Sequence, residues 1–219
     1  MYITITTKCN MRCAHCCGDY GPVGKHMSKS VFVKALELAS STNSLIAIGG
    51  GEPTLHPRFW EFIGLALGIS NSYDIESPVW MATNGSLKKT SLMLAGMAKH
   101  GVIGVALSLD DYHDPIDNEV VKAFTKEKDN TRSFSRCAHD DDLREIRDVT
   151  GKEVNAGRCN FGAQRCVCPD LIVEVDGTLR PCGCENAPVF GTVFNPRVPY
   201  DWYNAGECYF DEYHSTDHN

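Results

Sequence analysis

The sequence lacks long apolar runs and is short of basic side chains. No stretch of its 219 residues approaches the run of about 20 apolar residues that a membrane-spanning helix needs. The 28 acidic side chains outnumber the 21 lysines and arginines, which gives a formal net charge of −7. Proteins that bind the phosphates of duplex nucleic acid normally carry the opposite balance. The composition therefore predicts no membrane span and weighs against duplex binding as the main task.

The start of the sequence also lacks the basic and apolar segments of a secretion signal. Met1 leads directly into Tyr2–Thr6, a short run that alternates like a strand. We therefore expect a cytoplasmic, reducing location for the eleven cysteines. In that setting, clustered cysteines more often bind metal than form disulfides.

Three of the cysteines form a compact group directly after the first predicted strand. Cys9, Cys13 and Cys16 are spaced C-x3-C-x2-C, so their thiolates can converge on one metal centre. A 4Fe–4S cluster takes four ligands, so a loop that supplies three leaves one iron open for another ligand. Zinc, a redox pair and plain core packing are the alternatives. Because zinc loops usually use C-x2-C pairs, the spacing favours a 4Fe–4S site.

Strand and helix patterns alternate four times along the first half of the chain. This alternation predicts an α/β fold in which crossover helices join parallel strands. The predicted elements are strands over residues 2–6, 45–48, 79–82 and 102–109, helices over 28–41, 59–69, 87–100 and 119–128, a short helix capped by Asp140–Asp142, and a hairpin over 171–180.

Each predicted strand is followed by an unusual loop. The cysteine group follows the first strand, Glu52 the second, Asn84 the third and Asp110 the fourth. In α/β folds, ligands gather at the carboxyl ends of the strands. The sequence therefore predicts one site at that edge of the sheet.

Over roughly residues 1–115 these motifs resemble those of the radical S-adenosylmethionine (SAM) enzymes. The resemblance implies a partial, truncated (β/α) barrel over 1–150 and a small cysteine-rich extension over 151–219. It implies that Cys9, Cys13 and Cys16 ligate three irons of a 4Fe–4S cluster. The amino and carboxylate groups of SAM then chelate the fourth iron.

The same resemblance implies a set of SAM-binding residues at the ends of three strands. Gly50–Pro53 resembles the family's GGEP motif, in which a carbonyl and a carboxylate can accept hydrogen bonds from the ammonium of SAM. The two later strand ends resemble positions that face the ribose or methionine part. Ordinary turn chemistry is the alternative for each. The implied residues are Gly50, Gly51, Glu52, Pro53, Thr83, Asn84, Ser108 and Asp110.

The activity implied by the resemblance is reductive cleavage of SAM. An external donor of the flavodoxin or ferredoxin type reduces the cluster, and SAM gives methionine and a 5′-deoxyadenosyl radical that abstracts hydrogen from the substrate. We expect an amino-acid-like or peptide substrate, or a small molecule. A radical isomerase acting on an amino-acid-modified nucleobase in DNA, and a non-catalytic iron–sulfur or zinc module, are the alternatives.

Two side chains just beyond the fourth strand are predicted to act on the substrate. We assign His113 as an acid–base group and Tyr112 as a substrate contact or hydrogen-atom relay. The alternative for this segment is a rigid polar loop.

A second cysteine group lies near the C-terminus. The segment from Cys166 through Gly177 to Cys182 is similar to the opening of the SPASM and Twitch auxiliary-cluster extensions. A hairpin between two Cys-x-Cys pairs would bring four thiols together, so we predict an auxiliary iron–sulfur cluster, with zinc or free thiols as alternatives. The predicted ligands are Cys166, Cys168, Cys182 and Cys184, with Cys159 as the fifth cysteine of the group.

Overall fold

The computed structural model describes residues 1–72, 79–126, 142–148, 171–183 and 187–199. The fourfold strand–helix alternation predicted from the sequence is confirmed. In chain order the elements are β1 (Tyr2–Thr6), α1 (Lys29–Ser41), β2 (Ala47–Gly50), α2 (Phe59–Ser72), β3 (Trp80–Thr83), α3 (Lys88–Lys99), β4 (Gly104–Ser108), α4 (Asn118–Phe124), β5 (Arg144–Arg147), β6 (Ile172–Val173), β7 (Leu179–Arg180), β8 (Gly191–Thr192) and β9 (Asn195–Pro196).

Seven of these strands form one sheet in the order β5-β4-β3-β2-β1-β6-β7. Strands β1 to β5 pair in parallel with their neighbours, and β6 pairs in parallel with β1. Only β7 runs antiparallel, in a hairpin with β6. Because parallel neighbours share a direction, the carboxyl ends of β1 to β4 lie at one edge of the sheet, as predicted.

One face of the sheet forms the hydrophobic core with the helices. Ile3, Ile48, Met81 and Val105 stand in one register row across four strands, and each is fully buried. Helices α1 and α2 pack beside each other through the stacked rings of Phe32 and Phe62, whose centroids are 4.1 Å apart. Removal of these side chains from water drives the assembly of the layer.

The opposite face of the sheet carries aromatic rings laid over glycines. A Cβ on Gly49 would lie 1.9 Å from the Tyr2 hydroxyl, and one on Gly104 would lie 2.7 Å from Trp80 Cδ1. Both rings are only partly buried. The glycines therefore leave the space that these two rings occupy, and Thr4, Ala47 and Ala106 on the same face are buried.

The start of α1 shows how local sequence fixes an element. The Ser28 hydroxyl accepts a hydrogen bond from the Val31 amide at 3.3 Å, as the predicted N-cap requires. The buried stripe of Val31, Phe32, Ala35, Leu36 and Ala39 then faces the sheet.

Several predicted bounds differ from the structure by one to four residues, and one predicted element is wrong. Strand β2 lies two residues later than expected, because parallel pairing with β1 brings Gly49 and Gly50 into the ladder. Helix α4 ends at Phe124 rather than near residue 128. The predicted helix after Asp142 is wrong: this carboxylate accepts hydrogen bonds from the amide and guanidinium of Arg144, and β5 follows.

The predicted hairpin near the C-terminus is confirmed in β6 and β7, with Gly177 at φ +91° in its turn. The hairpin lies beside β1, so part of the 151–219 region belongs to the same sheet as the first half. The division into two domains stays a prediction. Within the described ranges, no helix combines the length and the apolar content that crossing a membrane requires.

Substituting alanine for Gly50 should strongly destabilise the protein. Gly50 has φ +125°, and an added Cβ would lie 2.1 Å from the Thr6 carbonyl oxygen. Strain of this kind together with a backbone clash costs about 3 kcal/mol or more. We expect denaturant titration to show that loss for Gly50→Ala. Gly64→Ala is the control, because Gly64 lies in α2 with open space around its Cα; equal stability of the two variants would contradict the argument.

Candidate active site

The cysteine loop follows β1 and is closed by the chain that returns to it. The Cys9 amide donates to the Gly21 carbonyl at 2.7 Å, and the Thr7 amide donates to the Lys25 carbonyl at 3.0 Å. Cys9, Cys13 and Cys16 are all partly exposed. The backbone therefore holds three accessible thiols in one loop at the end of β1, as predicted.

The electrostatics of this loop suit thiolate ligands that share a metal centre. Burial and the neighbouring Cys9 and Cys16 raise the pKa of Cys13 to about 11. Three adjacent thiolates therefore need a compensating positive charge, which a metal centre provides as it displaces the protons. The Met11 amide lies 3.5 Å from Cys9 Sγ and the Tyr20 amide 3.4 Å from Cys16 Sγ. Hydrogen bonds to cysteine sulfur are usual around iron–sulfur clusters, so the loop fits a 4Fe–4S cluster.

The glycine turn after β2 lies directly against the cysteine loop. The Gly51 amide donates to the Thr6 carbonyl at 2.8 Å, and the Glu52 amide donates to the Lys8 carbonyl at 2.9 Å. A Cβ on Gly51 would lie 2.3 Å from the Lys8 carbonyl oxygen. The approach of the two loops therefore requires glycine at this position.

The Glu52 carboxylate is buried and joins the ends of β2 and β3. It is 1% exposed, and it accepts hydrogen bonds from the Thr54 amide and hydroxyl, the Thr83 hydroxyl and the Asn84 amide. Burial raises the pKa of Glu52, while these hydrogen bonds act in the opposite direction. Both carboxylate oxygens are thus already bonded within the protein. Pro53 follows in a short 3-10 turn and is itself buried.

Asn84 connects the end of β3 to the cysteine loop. Its side-chain Nδ2 lies 3.1 Å from Asn10 Oδ1 and 3.9 Å from Cys9 Sγ. Ser86 contributes a second hydrogen bond to Asn10 Oδ1, at 3.3 Å. The three predicted motifs after β1, β2 and β3 therefore form one bonded unit.

The fourth predicted motif forms a cluster of rings beside the cysteines. Asp110 Oδ1 accepts hydrogen bonds from the Tyr112 amide at 3.0 Å and His113 Nδ1 at 2.7 Å. The ring of His15 lies 4.8 Å from that of Tyr112 and 5.0 Å from that of His113. Ligand atoms of Cys13, His15 and His113 lie within 4.8 Å of one another. Tyr112 and His113 are therefore next to the cysteine loop.

Asp110 is held as a carboxylate by its neighbours. Burial alone would raise its pKa, but the hydrogen bonds from His113 and the Tyr112 amide leave the pKa below the usual value. Its second oxygen, Oδ2, is buried and has no hydrogen-bond partner among the described residues.

The segment that carries Tyr112 and His113 is acidic. Asp111, Asp114 and Asp117 are exposed on the same segment. Lys88 forms ion pairs with Asp117 and Glu119, both at 2.9 Å, whereas the exposed Arg147 lies at the end of the neighbouring strand β5. A phosphate backbone would meet repulsion on this side of the site.

Arg147 was not predicted as a site residue. It ends β5 in register with Ser108 on β4, is exposed, and forms no ion pair within the described part of the chain. Because Asp140–Asp142 predict a helix start, no pattern in the sequence places Arg147 at a strand end. Tyr2 was also missed: its hydroxyl accepts the Gly50 amide at 2.8 Å, and burial raises its pKa to about 12.

The second cysteine group is described only in part. Cys182 is buried, 4% exposed, and follows β7 after Pro181. Three predicted ligands lie outside the described residues, as does the fifth cysteine of the group; they are Cys166, Cys168, Cys184 and Cys159.

Comparison with known families identifies the class of protein to which this fold and loop belong. Residues 3–136, more than half of the chain, match the family model described as "Radical SAM superfamily". The chain therefore belongs to the radical SAM superfamily and is an enzyme of that class. Membership implies a 4Fe–4S cluster and SAM as cofactors, in agreement with the donor set of the cysteine loop.

Two curated proteins are similar in sequence to about half of this chain. The chain is 37% identical over 120 residues to the tungsten-containing aldehyde ferredoxin oxidoreductase cofactor-modifying protein of Pyrococcus furiosus, covering 50% of this chain and 30% of that protein. It is 30% identical over 111 residues to the mycofactocin maturase MftC of Mycobacterium tuberculosis, covering 48% of this chain and 26% of MftC. The chain thus spans less than a third of the length of each.

Solved structures show the same fold. BtrN in complex with AdoMet and 2-DOIA aligns with a TM-score of 0.59 at 16% identity, over 97% of this chain and 83% of BtrN. Native anSMEcpe with bound AdoMet and the Cp18Cys peptide aligns with a TM-score of 0.55 at 14% identity, over 97% of this chain and 81% of that one. The fold class predicted from the sequence is confirmed.

Proposed function

We propose that this enzyme binds its cluster through Cys9, Cys13 and Cys16 and abstracts hydrogen from an amino-acid-like or peptide substrate. The observation that carries this proposal is the bonded unit of three motif loops around the three thiols. When bound, the cluster and SAM supply the reductive cleavage that generates a 5′-deoxyadenosyl radical. The protein's own residues hold the cofactors, orient the substrate and limit access of water.

We propose that different residues of the site bind different parts of SAM. Because the Glu52 carboxylate and the Thr83 hydroxyl already bond to each other, we propose that the main chain of Gly50–Glu52 accepts the ammonium of SAM. Asp110 Oδ2, an acceptor without a partner among the described residues, is the proposed contact for the ribose hydroxyls. Ser108 and Arg147 stand side by side at the ends of β4 and β5, and Arg147 is the proposed contact for a carboxylate of SAM or substrate.

We propose that His113 is the acid–base group of the site. With Asp110 ionised, His113 Nδ1–H donates to Oδ1, which fixes the ring and leaves Nε2 as the nitrogen that can exchange a proton. Tyr112 lies in the same ring cluster and is the proposed substrate contact.

Charge distinguishes the two substrate classes considered. The acidic segment that carries Tyr112 and His113 favours a neutral or cationic group next to these side chains, such as the amine or amide of an amino acid, over the phosphates of a nucleic acid, while Arg147 is left for a single carboxylate. A peptide is bound in the anSMEcpe structure, and the name of MftC describes a maturase. These relatives support a peptide or amino-acid-like substrate in this enzyme.

We propose that an external one-electron donor of the flavodoxin or ferredoxin type reduces the cluster. The donor would bind next to the cysteine loop, at exposed basic residues of this chain. Arg12 and Lys25 are exposed next to the cysteine loop, and Val23 between them is 94% exposed. The chain as a whole carries a net charge of −7, so these two exposed cations contrast with the mostly acidic chain, although Asp19 is exposed in the same loop. Acidic redox partners are steered to surfaces of this kind.

An auxiliary iron–sulfur cluster in the second cysteine group is also proposed. The burial of Cys182 beside the hairpin that pairs with β1 supports an ordered role for that thiol. A cytoplasmic location accords with this number of cysteines and stays part of the proposal.

The test is anaerobic reconstitution followed by reduction in the presence of SAM. We expect about four irons per chain for one cluster, or about eight with the auxiliary cluster, and release of 5′-deoxyadenosine when dithionite is added. Peptide and free amino-acid libraries are then scored for increased 5′-deoxyadenosine. A fully loaded, reduced protein that releases no 5′-deoxyadenosine with any such substrate would overturn the proposal.

A further inference from the structure

We propose that Asn84 is a positioning residue for the cluster: its amide donates a hydrogen bond to the Cys9 thiolate and so raises the reduction potential of the cluster. This inference rests on the proposed function, because it requires Cys9 to be a cluster ligand. It assigns to Asn84 a role toward the sulfur, whereas the sequence alone predicted a contact with SAM.

The geometry directs the Asn84 amide to the cysteine loop. Nδ2 lies 3.9 Å from Cys9 Sγ and 3.1 Å from Asn10 Oδ1. An amide nitrogen carries two hydrogens and accepts none, so both contacts are donations by Asn84. A sulfur that becomes a thiolate on binding iron strengthens such a hydrogen bond, because the acceptor is then charged.

Hydrogen bonds to other atoms of Asn84 fix the orientation of its side-chain amide. Asn84 Oδ1 accepts the Ser86 amide at 3.0 Å, and the Asn84 main-chain amide donates to Glu52 Oε2 at 2.7 Å. A flipped amide would set Nδ2 against the Ser86 amide and Oδ1 against Asn10 Oδ1, which is unfavourable at both ends. Asn84 is 6% exposed, so water does not readily replace the donor. The donation to Cys9 is therefore preorganised.

The effect on the cluster follows from charge. Reduction adds one electron, supplied by the external donor, to the cluster and its thiolates, and no bond in the protein forms or breaks. A hydrogen bond to a ligating sulfur stabilises the more negative, reduced state and raises the potential. Loss of the donor should lower the fraction of reduced cluster at a fixed applied potential. A tenfold change in that ratio corresponds to about 59 mV for one electron.

The experiment is a redox titration of the reconstituted full chain, followed by electron paramagnetic resonance and performed without SAM. At the wild-type midpoint potential, we expect Asn84→Ala to lower the reduced-to-oxidised ratio about three- to tenfold. Ser86→Ala is the matched control, because its hydroxyl contacts Asn10 but not Cys9, and its main-chain amide is retained. That variant should stay within about twofold of wild type. The omission of SAM separates this effect from any lost SAM contact.

The isosteric variant Asn84→Asp keeps the inference falsifiable if Asn84→Ala loses its cluster. Aspartate places a carboxylate beside the thiolate, so the reduced fraction should fall further than with alanine. A reduced fraction equal to wild type in Asn84→Asp, or in an iron-loaded Asn84→Ala, would overturn the role of Asn84 and leave the proposed function standing. Wild-type protein that assembles no cluster at all would overturn both.

Discussion

Replacing Cys13 with alanine is expected to eliminate the SAM-cleaving cluster and all release of 5′-deoxyadenosine. Cys13 is the central thiol of the C-x3-C-x2-C loop, and it interacts electrostatically with both Cys9 and Cys16. With two thiolates, the loop cannot hold three irons of a cubane and still leave the fourth to SAM. We therefore expect the variant to fold and to give no product above the background without enzyme.

Iron analysis makes the Cys13→Ala experiment more informative. If the second cysteine group binds a cluster, about four irons per chain should remain after the first cluster is lost, and otherwise almost none. Cys17→Ala is the control, since Cys17 is exposed and lies outside the C-x3-C-x2-C spacing. Full iron content and activity in Cys13→Ala, or equal losses in Cys17→Ala, would show that the ligand set is wrong.

The sequence predicted the location of the site because parallel α/β topology leaves little freedom. Once strands alternate with crossover helices, their carboxyl ends share one edge, so Cys9, Glu52, Asn84 and Asp110 had to lie near each other. Local patterns were enough for this step. The contacts of Asn84 with Cys9 and Asn10 then confirm the proximity atom by atom.

What the sequence could not predict depends on pairing between distant segments. The β6 strand pairs with β1 across about 170 residues, and no local periodicity reveals such a partner. The helix expected after Asp142 failed because its carboxylate bonds to Arg144 and begins a strand that β4 stabilises. Because of that error, Arg147 was not predicted at the edge of the sheet where the carboxyl ends of the strands lie. Its position there follows only from its register with Ser108.

The relatives constrain the chemistry more than the substrate. Their names and titles describe a cofactor-modifying protein, a maturase and a complex with 2-DOIA. The superfamily match covers residues 3–136, which include the cluster loop and the strand ends. We propose that substrate choice depends instead on side chains beside the motif loops, such as Tyr112, His113 and Arg147.

Glu52→Gln is expected to destabilise the protein even when no SAM is present. The carboxylate accepts from the Asn84 amide on one oxygen and from the Thr54 amide on the other. A glutamine must turn its NH2 group toward one of these N–H donors, which leaves two donors facing each other in a buried site. Such an unsatisfied arrangement costs about 3 kcal/mol. The free energy of unfolding of the cofactor-free chain, measured by denaturant titration, should fall by that amount.

The matched control separates a structural role for Glu52 from a role in binding SAM. Glu61→Gln removes an exposed carboxylate that pairs with Arg58 and Lys29, and its unfolding midpoint should stay close to wild type. If Glu52 acted only on the ammonium of SAM, Glu52→Gln would keep wild-type stability without cofactor and lose only SAM affinity. A loss of stability without SAM instead means that the Glu52 carboxylate holds the ends of β2 and β3 together, which supports the proposal that the main chain of Gly50–Glu52, rather than this carboxylate, accepts the ammonium of SAM.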